Sequence, residues 1–462
     1  MKNGLYQKSL TFWNKLSSGS TNRKILAATL IVGVGLGFAK LISTFKELVV
    51  AWNFGTSDSL DAFLMAFVLP SFITNVVAGS FNAALIPTYI QVREKEGKEA
   101  AQKLFSGAIV WSCGLLAITT LIMLASAPFL LPKIASGFHP EKLDLTYKLL
   151  WALAPSIIFS GILTVWAAVL NAGERFALAA VAETLTPAMT ILFMLLFHSW
   201  DVFSLACGLV AGQLLEMIVI GMALHKQQIS LIPKWYGFDE NLRQVIGQYA
   251  PMIAGAFLMS SCSLVDQSMA AMLAPGSVAA LLYGKRLVLL PITIASTALS
   301  TAVIPYFSKM IAHQDWKSVE HTLGHYLRLI FGVTVPMTVL FIAVSEPLIH
   351  LLFQRGSFHA SDTSLVSAIQ ICYALQIPFY IANILVVRLV SAMKMNHLLM
   401  QVSALNLVVN IACNYLFMEW MGIKGIALST SVVYMFCFSF MLINGEIHLR
   451  KQKKLSKEIN QQ

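Results

Sequence analysis

Apolar residues run along this chain in blocks of twenty or more, broken by short polar joints, and do not alternate with polar ones. A helix needs about 20 such residues to cross a hydrocarbon layer. The blocks predict twelve spans, at 25–52, 60–90, 104–132, 146–171, 176–198, 202–225, 244–273, 277–306, 325–353, 363–391, 397–419 and 423–448. Turn residues mark the joints, as at 53–59, Pro275-Gly276 and Gly356-Ser357. The longest polar stretch between spans, 225–243, follows the sixth. The pattern predicts an all-α integral membrane protein: a cytoplasmic tail at 1–24, an N-lobe at 25–225, a cytoplasmic linker at 226–243, a C-lobe at 244–448 and a basic cytoplasmic tail at 449–462.

Composition removes the competing classes. The chain is 57% hydrophobic and 12% charged, and a soluble domain is about 25% charged. Its mean hydropathy is +0.72. A soluble enzyme, a disordered chain and a secreted disulfide module are excluded. The net charge of +10 needs no nucleic acid, because cytoplasmic loops concentrate Lys and Arg. With the N-terminus inside, the inner segments hold 21 of the 32 basic residues and the outer loops hold 4 (Lys133, Lys142, Arg355 and Lys424). That asymmetry predicts both termini in the cytoplasm and an even number of spans. The six cysteines all lie in apolar segments without a CxxC and read as small buried hydrophobes. No small-residue cleavage site follows a short apolar stretch near the N-terminus, so a retained first span is expected rather than a signal peptide.

The halves resemble each other. Leu85-Ile86-Pro87-Thr88-Tyr89 recurs as Val303-Ile304-Pro305-Tyr306-Phe307, Ala127-Pro128-Phe129 as Glu346-Pro347-Leu348, Gly137-Phe138 near Gly356 to Phe358, and Ala154-Pro155 as Ile377-Pro378. The order is kept and the offset drifts slowly from 218 to 223, as in a duplicated unit. Two six-helix bundles of equal orientation relate by a pseudo-two-fold along the membrane normal. Such a pair encloses a cleft and suits alternating access.

Charge inside a bilayer costs about 2.5–3.5 kcal/mol per residue on insertion scales and faces a bundle interior or water. Lys40, Lys46 and Glu47 lie in the first span, Asp61 opens the second, Lys285 and Arg286 lie in the eighth and Arg388 in the tenth. Lysine and arginine match phosphate, so the cations predict a cavity for an anionic substrate. The plainer reading makes Asp61 a helix cap, Arg388 and Lys394 snorkelling cations, and Glu183 and Glu216 structural carboxylates. Asn406, Asn410 and Asn414 form one stripe of the eleventh span. With Asp266 and Thr430 they would suit a hard monovalent cation, or serve as interhelical glue. There is no HExxH, GxSxG or Walker A motif, so no enzyme is expected.

Several segments carry a family resemblance. They are Phe54-Gly55 with Leu60-Asp61-Ala62-Phe63, Gly79-Ser80-Phe81-Asn82-Ala83-Ala84-Leu85-Ile86-Pro87, Tyr283-Gly284-Lys285-Arg286-Leu287, and Leu352-Phe353-Gln354-Arg355-Gly356-Ser357-Phe358. Gly425-Ile426-Ala427-Leu428-Ser429-Thr430-Ser431 adds to them. Together they resemble the MurJ/MviN family of lipid-linked glycan flippases, in the MOP exporter superfamily. The resemblance implies transfer of an undecaprenyl-pyrophosphate-linked glycan (lipid II or an exopolysaccharide repeat unit) to the outer leaflet of the bacterial inner membrane. It implies that Lys40, Lys46 and Glu47 take the place of the family's first-span charges, with Asp61 and Arg286 as further site residues. It also implies a sodium site at Asp266, Asn410, Asn414, Thr430 and the Ile426 carbonyl. Sodium, a proton gradient or the membrane potential would supply the drive; glycan-synthesis or polymerase proteins would be partners beside the membrane lipids. Three departures stand out: 71–75 carries no cation where the family has an Arg pair, Leu289 stands where an acid is usual, and twelve spans are expected where the prototype has fourteen. A cation-coupled drug or metabolite antiporter of the same superfamily and a non-transporting scaffold of a glycan-synthesis complex remain alternatives.

Overall fold

Two of the expected spans break at a proline. Pro187 has no N–H to donate, and its ring crowds the carbonyl four residues back, that of Glu183. The fifth span accordingly stops and restarts there, as α5 (Phe176–Ala182) and α6 (Leu185–Leu196), joined by Glu183 and Thr184. Pro378 does the same to the tenth, which divides into Ala360–Ala374 and Ile377–Ala392. The ninth also divides, into Trp316–Ala343 and Ser345–Phe353.

The computed structural model describes the backbone of residues 21–173 and 176–459, and side chains except those of 1–36, 174–177, 297–298, 300–305, 396 and 455–462. Arg175, the basic N-terminal tail and the side chains of the Val303-Ile304-Pro305 repeat lie outside the described residues. Among the described residues every regular element is helical. Eleven helices among the described residues are long and apolar enough to cross a membrane, and α1 (Thr21–Phe54) occupies the place of the first expected span. The rest of the first half comprises α2 (Asp58–Lys95), α3 (Lys98–Ile134), α4 (Pro140–Ala172) and α7 (Phe203–Lys226). The second comprises α8 (Glu240–Ala270), α9 (Ser277–Ala312), α10 (Trp316–Ala343), α11 (Ser345–Phe353), α12 (Ala360–Ala374), α13 (Ile377–Ala392), α14 (Asn396–Met421) and α15 (Ile423–Ile459). Within α2 the segment Thr74–Gly79 widens to a π-helix. Large apolar side chains such as Ile118, Leu121, Ile122, Val339 and Leu340 are exposed, as faces turned to lipid require.

Packing divides the chain into two units. The first takes Met1–Val49, Ile73–Ala125 and Leu149–Ile253; the second takes Val50–Phe72, Ser126–Lys148 and Ala254–Gln462. In the first, Phe81, Leu85, Leu104, Phe105, Leu170, Leu224 and Val245 form one buried core. Tyr249 meets Phe81 edge-on there and donates its hydroxyl to the Val77 carbonyl, inside the π segment. In the second, the rings of Tyr283, Phe353 and Phe358 pack within 5.4–5.8 Å of one another. The Tyr283 hydroxyl donates to the Gly55 carbonyl.

The second unit also displays the duplication. A Cβ on Gly137 would meet the carbonyl of Ala271, and a Cβ on Gly356 would meet that of Trp52. Gly137 and Gly356 are 219 residues apart, and so are Trp52 and Ala271. Two glycines at repeat-equivalent positions thus receive the ends of two repeat-equivalent helices, a reciprocity expected of a two-fold relation. Gly356 has a positive φ as well, so a side chain there would be strained in addition to colliding.

Candidate functional site

Two glycines set the geometry of the first unit. On α7, Gly208 lies against the Thr190 Cα and Gly212 against the Thr186 Cα; a Cβ at either would come within 2.8 and 2.6 Å of those atoms. Small residues four apart let helices approach closely, and α6 lies along α7. Thr186 is thereby brought to Glu216, and its hydroxyl donates to the carboxylate at 2.7 Å. Gln213, on the same helix as Glu216, donates to the Ser160 hydroxyl of α4 at 2.8 Å.

These side chains line a cavity of about 400 Å³. The wall supplied by α1 carries Ala39, Lys40, Ser43 and Lys46. Lys46 pairs at 2.9 Å with Glu47, which is only 6% exposed. Lys40 lies close enough to Glu183, in the Pro187 break, for the two charges to interact. The cavity therefore has a cationic side and an acidic, hydrogen-bonding side.

Asp61 has a different place. It is 1% exposed in the second unit. Its carboxylate accepts from the Gly276 and Ala279 backbone N–H groups, both at 2.8 Å, and lies 3.1 Å from the Lys142 ammonium. It caps α9, not its own helix, meeting that helix's exposed donors and its positive end. Lys142 is buried too, held by Asp58 and by the Phe138 ring 4.0 Å away. Thr56 donates to Asp362, and the Ser357 amide and hydroxyl donate to the Trp52 and Asn53 carbonyls.

Deeper in the second unit, Asp266 receives the Asn410 and Asn414 amides at 3.0 and 2.7 Å on one oxygen and the Thr430 hydroxyl at 3.5 Å on the other. Thr430 also reaches the Ile426 carbonyl. The Asn414 carbonyl oxygen is buried with no hydrogen-bond partner. Lys285 stands 5.9 Å over the Tyr373 ring, with Arg286 half-buried beside it and Arg388 half-buried on α13. Lys40, Lys46 and Glu47 thus belong to one unit, and Asp61, Lys285, Arg286, Arg388 and the Asp266 group to the other.

The sequence model of the family described as "Lipid II flippase MurJ" matches residues 50–459. The chain belongs to that family. The probable lipid II flippase of Thermotoga maritima is 28% identical over 417 residues, covering 90% of this chain and 84% of that one. The Synechocystis protein of the same description is 22% identical over 440 residues, covering 92% and 82%. Among solved structures, a lipid II flippase MurJ in an inward closed conformation superposes with a TM-score of 0.78 at 24% identity, over 90% of this chain and 87% of that one. An inward-facing multidrug transporter of the MATE family, in the MOP superfamily, gives 0.76 at 14%, over 90% and 99%. The protein is a multi-pass membrane protein of the flippase fold.

Sequence reasoning about this family member missed three participants. Gln213 and Thr186 carry no charge and drew no attention, although Pro187 and the Gly208/Gly212 spacing mark that place as a break and a close approach. Lys142 is expected in the outer loop between the third and fourth spans; it lies in the first turn of α4. Among the described residues it is the one lysine or arginine that is buried.

Proposed function

We propose that the protein carries lipid II, an undecaprenyl-pyrophosphate-linked glycan, from the inner to the outer leaflet of the bacterial inner membrane by alternating access, with both termini in the cytoplasm. The observation that carries this reading, beside family membership, is the cavity with Lys40 and Lys46 on one wall. Two ammonium groups in a low-dielectric cavity suit a pyrophosphate. The second unit carries cations of its own within its helices, Lys285, Arg286 and Arg388. The membrane potential favours outward movement of a net negative carrier–substrate complex, at about 2.3 kcal/mol per charge for 100 mV.

The test is complementation of a strain depleted of its own lipid II flippase. Growth restored by this chain, and lost on Arg286→Ala with the protein still in the membrane, is the expected result. Failure to restore growth by an inserted, folded protein would move the substrate to another lipid-linked glycan, such as an exopolysaccharide unit, for which its polymerase would be the natural partner.

A sodium ion at Asp266 belongs to the same proposal. One carboxylate, a hydroxyl, the Ile426 carbonyl and two amides match a hard monovalent cation. The partnerless oxygen of Asn414 is the kind of acceptor such an ion would satisfy, once both amides present oxygen rather than nitrogen to the site. Sodium is expected to raise the melting temperature of the purified protein, since a ligand that binds only the folded state stabilises it. Asp266→Asn should erase that increment; an increment that survives removes the ion from this site.

A further inference from the structure

The cavity of the first unit has a second wall, apart from that of Lys40 and Lys46. Gln213 gives its amide N–H to Ser160 and keeps its carbonyl oxygen buried without a partner. A buried acceptor left unmade costs about 1–3 kcal/mol. Glu216, 8% exposed, takes one hydroxyl from Thr186, and a carboxylate can accept about four hydrogen bonds. Glu183 adds a second carboxylate from the Pro187 break, near enough to Glu216 for the two charges to interact. Ser43, Thr164 and Thr190 complete the lining. From Leu149 to Ala172, the part of α4 in this unit, no residue is charged.

The two walls select by opposite rules. A bare anion would be held by Lys40 and Lys46 and repelled by Glu183 and Glu216. A bare cation would meet the reverse. A ligand that satisfies both carries an anionic group and, a few ångströms away, several hydroxyl or amide donors. That is the chemistry of a sugar phosphate. The volume of about 400 Å³ lies within the range of small-molecule sites.

Resting on the substrate reading above, we propose that this cavity is a sugar subsite, in which Gln213 and Glu216 accept hydrogen bonds from the hydroxyl and amide groups of the sugar joined to the pyrophosphate. The lysines hold the diphosphate, and the acceptor wall tells a glycosylated lipid from a bare one. Helix-to-helix bonding accounts for Thr186 and Glu216 but leaves the Gln213 oxygen unexplained. A site built to hydrogen-bond its ligand rejects an analogue without those donors, because the site's own polar groups then stay unpaired.

The experiment compares two probes, lipid II and undecaprenyl pyrophosphate, on the full-length protein in lipid nanodiscs. Wild-type protein is expected to bind lipid II more tightly. Gln213→Leu and Glu216→Gln should each weaken lipid II about ten-fold, the loss of one charge-assisted or buried hydrogen bond; undecaprenyl pyrophosphate should be unchanged in Gln213→Leu and no weaker in Glu216→Gln, which removes a carboxylate that repels the anion. Glu216→Gln keeps an oxygen for the Thr186 hydroxyl, so its fold is retained, and a thermal melt checks this. Lys46→Ala should weaken both lipids. Variants that weaken both lipids equally, or neither, would overturn the acceptor wall while leaving the flippase reading intact. Wild-type protein that binds neither lipid would overturn the substrate reading and the subsite with it.

Discussion

Lys46→Ala is expected to abolish rescue of a flippase-depleted strain, with Lys46→Arg retaining part of it. The ammonium lines the first unit's cavity and sits 2.9 Å from Glu47. Removing it subtracts one of the two cations on that wall. A hydrogen bond to a charged group is worth about 1.5–3 kcal/mol, which is roughly ten- to a hundred-fold in binding. The same change leaves the Glu47 carboxylate, 6% exposed, without this partner, so loss of activity by itself could reflect misfolding. Lys46→Ala with Glu47→Ala separates the two effects. The double variant has no stranded charge at this pair and is expected to reach the membrane in normal amounts while remaining inactive. Growth supported by the double variant would mean that the pair serves folding, and that pyrophosphate is held elsewhere.

The architecture was legible because membrane helices announce themselves by length and apolarity. The segment of α1 and the eleven apolar helices fall where the expected spans lie. Breaks within spans were less visible. Pro187 and Pro378 each interrupt a helix, yet Pro155 sits inside the continuous α4, so proline alone does not decide; neighbouring packing does. The Asp266 group was readable because Asn410 and Asn414 are four apart and share a helical stripe. The acceptor wall was not. Thr186 and Glu216 are 30 residues apart, and their meeting depends on two glycines that remove side chains from the interface. Glu183 and Glu216 read as structural carboxylates in the sequence; only the closed geometry shows them opposite lysines. Asp61 was expected to cap its own helix or to gate or pair with the site cations; the helix it caps is α9. Its partners lie 81, 215 and 218 residues away, a separation over which a single sequence carries no pattern.

Asp61→Ala is expected to lower the melting temperature of the protein more than any substitution in the cavity. Asp61 closes two backbone donors at the start of α9 and neutralises a buried lysine. Removing one partner of a buried ion pair costs about 3–5 kcal/mol, because the other charge stays in a low-dielectric place. Here Asp58 remains beside the Lys142 ammonium at 2.5 Å and reduces that part of the loss. The two N–H groups have no such reserve, and each unsatisfied buried donor adds about 1–3 kcal/mol. The components can be separated. Asp61→Asn keeps an oxygen for one backbone N–H but no charge, and should fall between wild type and alanine. Lys142→Met removes the cation and keeps an apolar stem against Phe138. Combined with Asp61→Asn it should recover part of the stability, a positive coupling of the kind double-mutant cycles measure for residues in contact. Equal melting temperatures for Asp61→Ala and wild type would show that Asp61 does not hold this end of α9. An additive double variant would show that Asp58 alone balances Lys142, leaving the capping of α9 as the whole of Asp61's contribution.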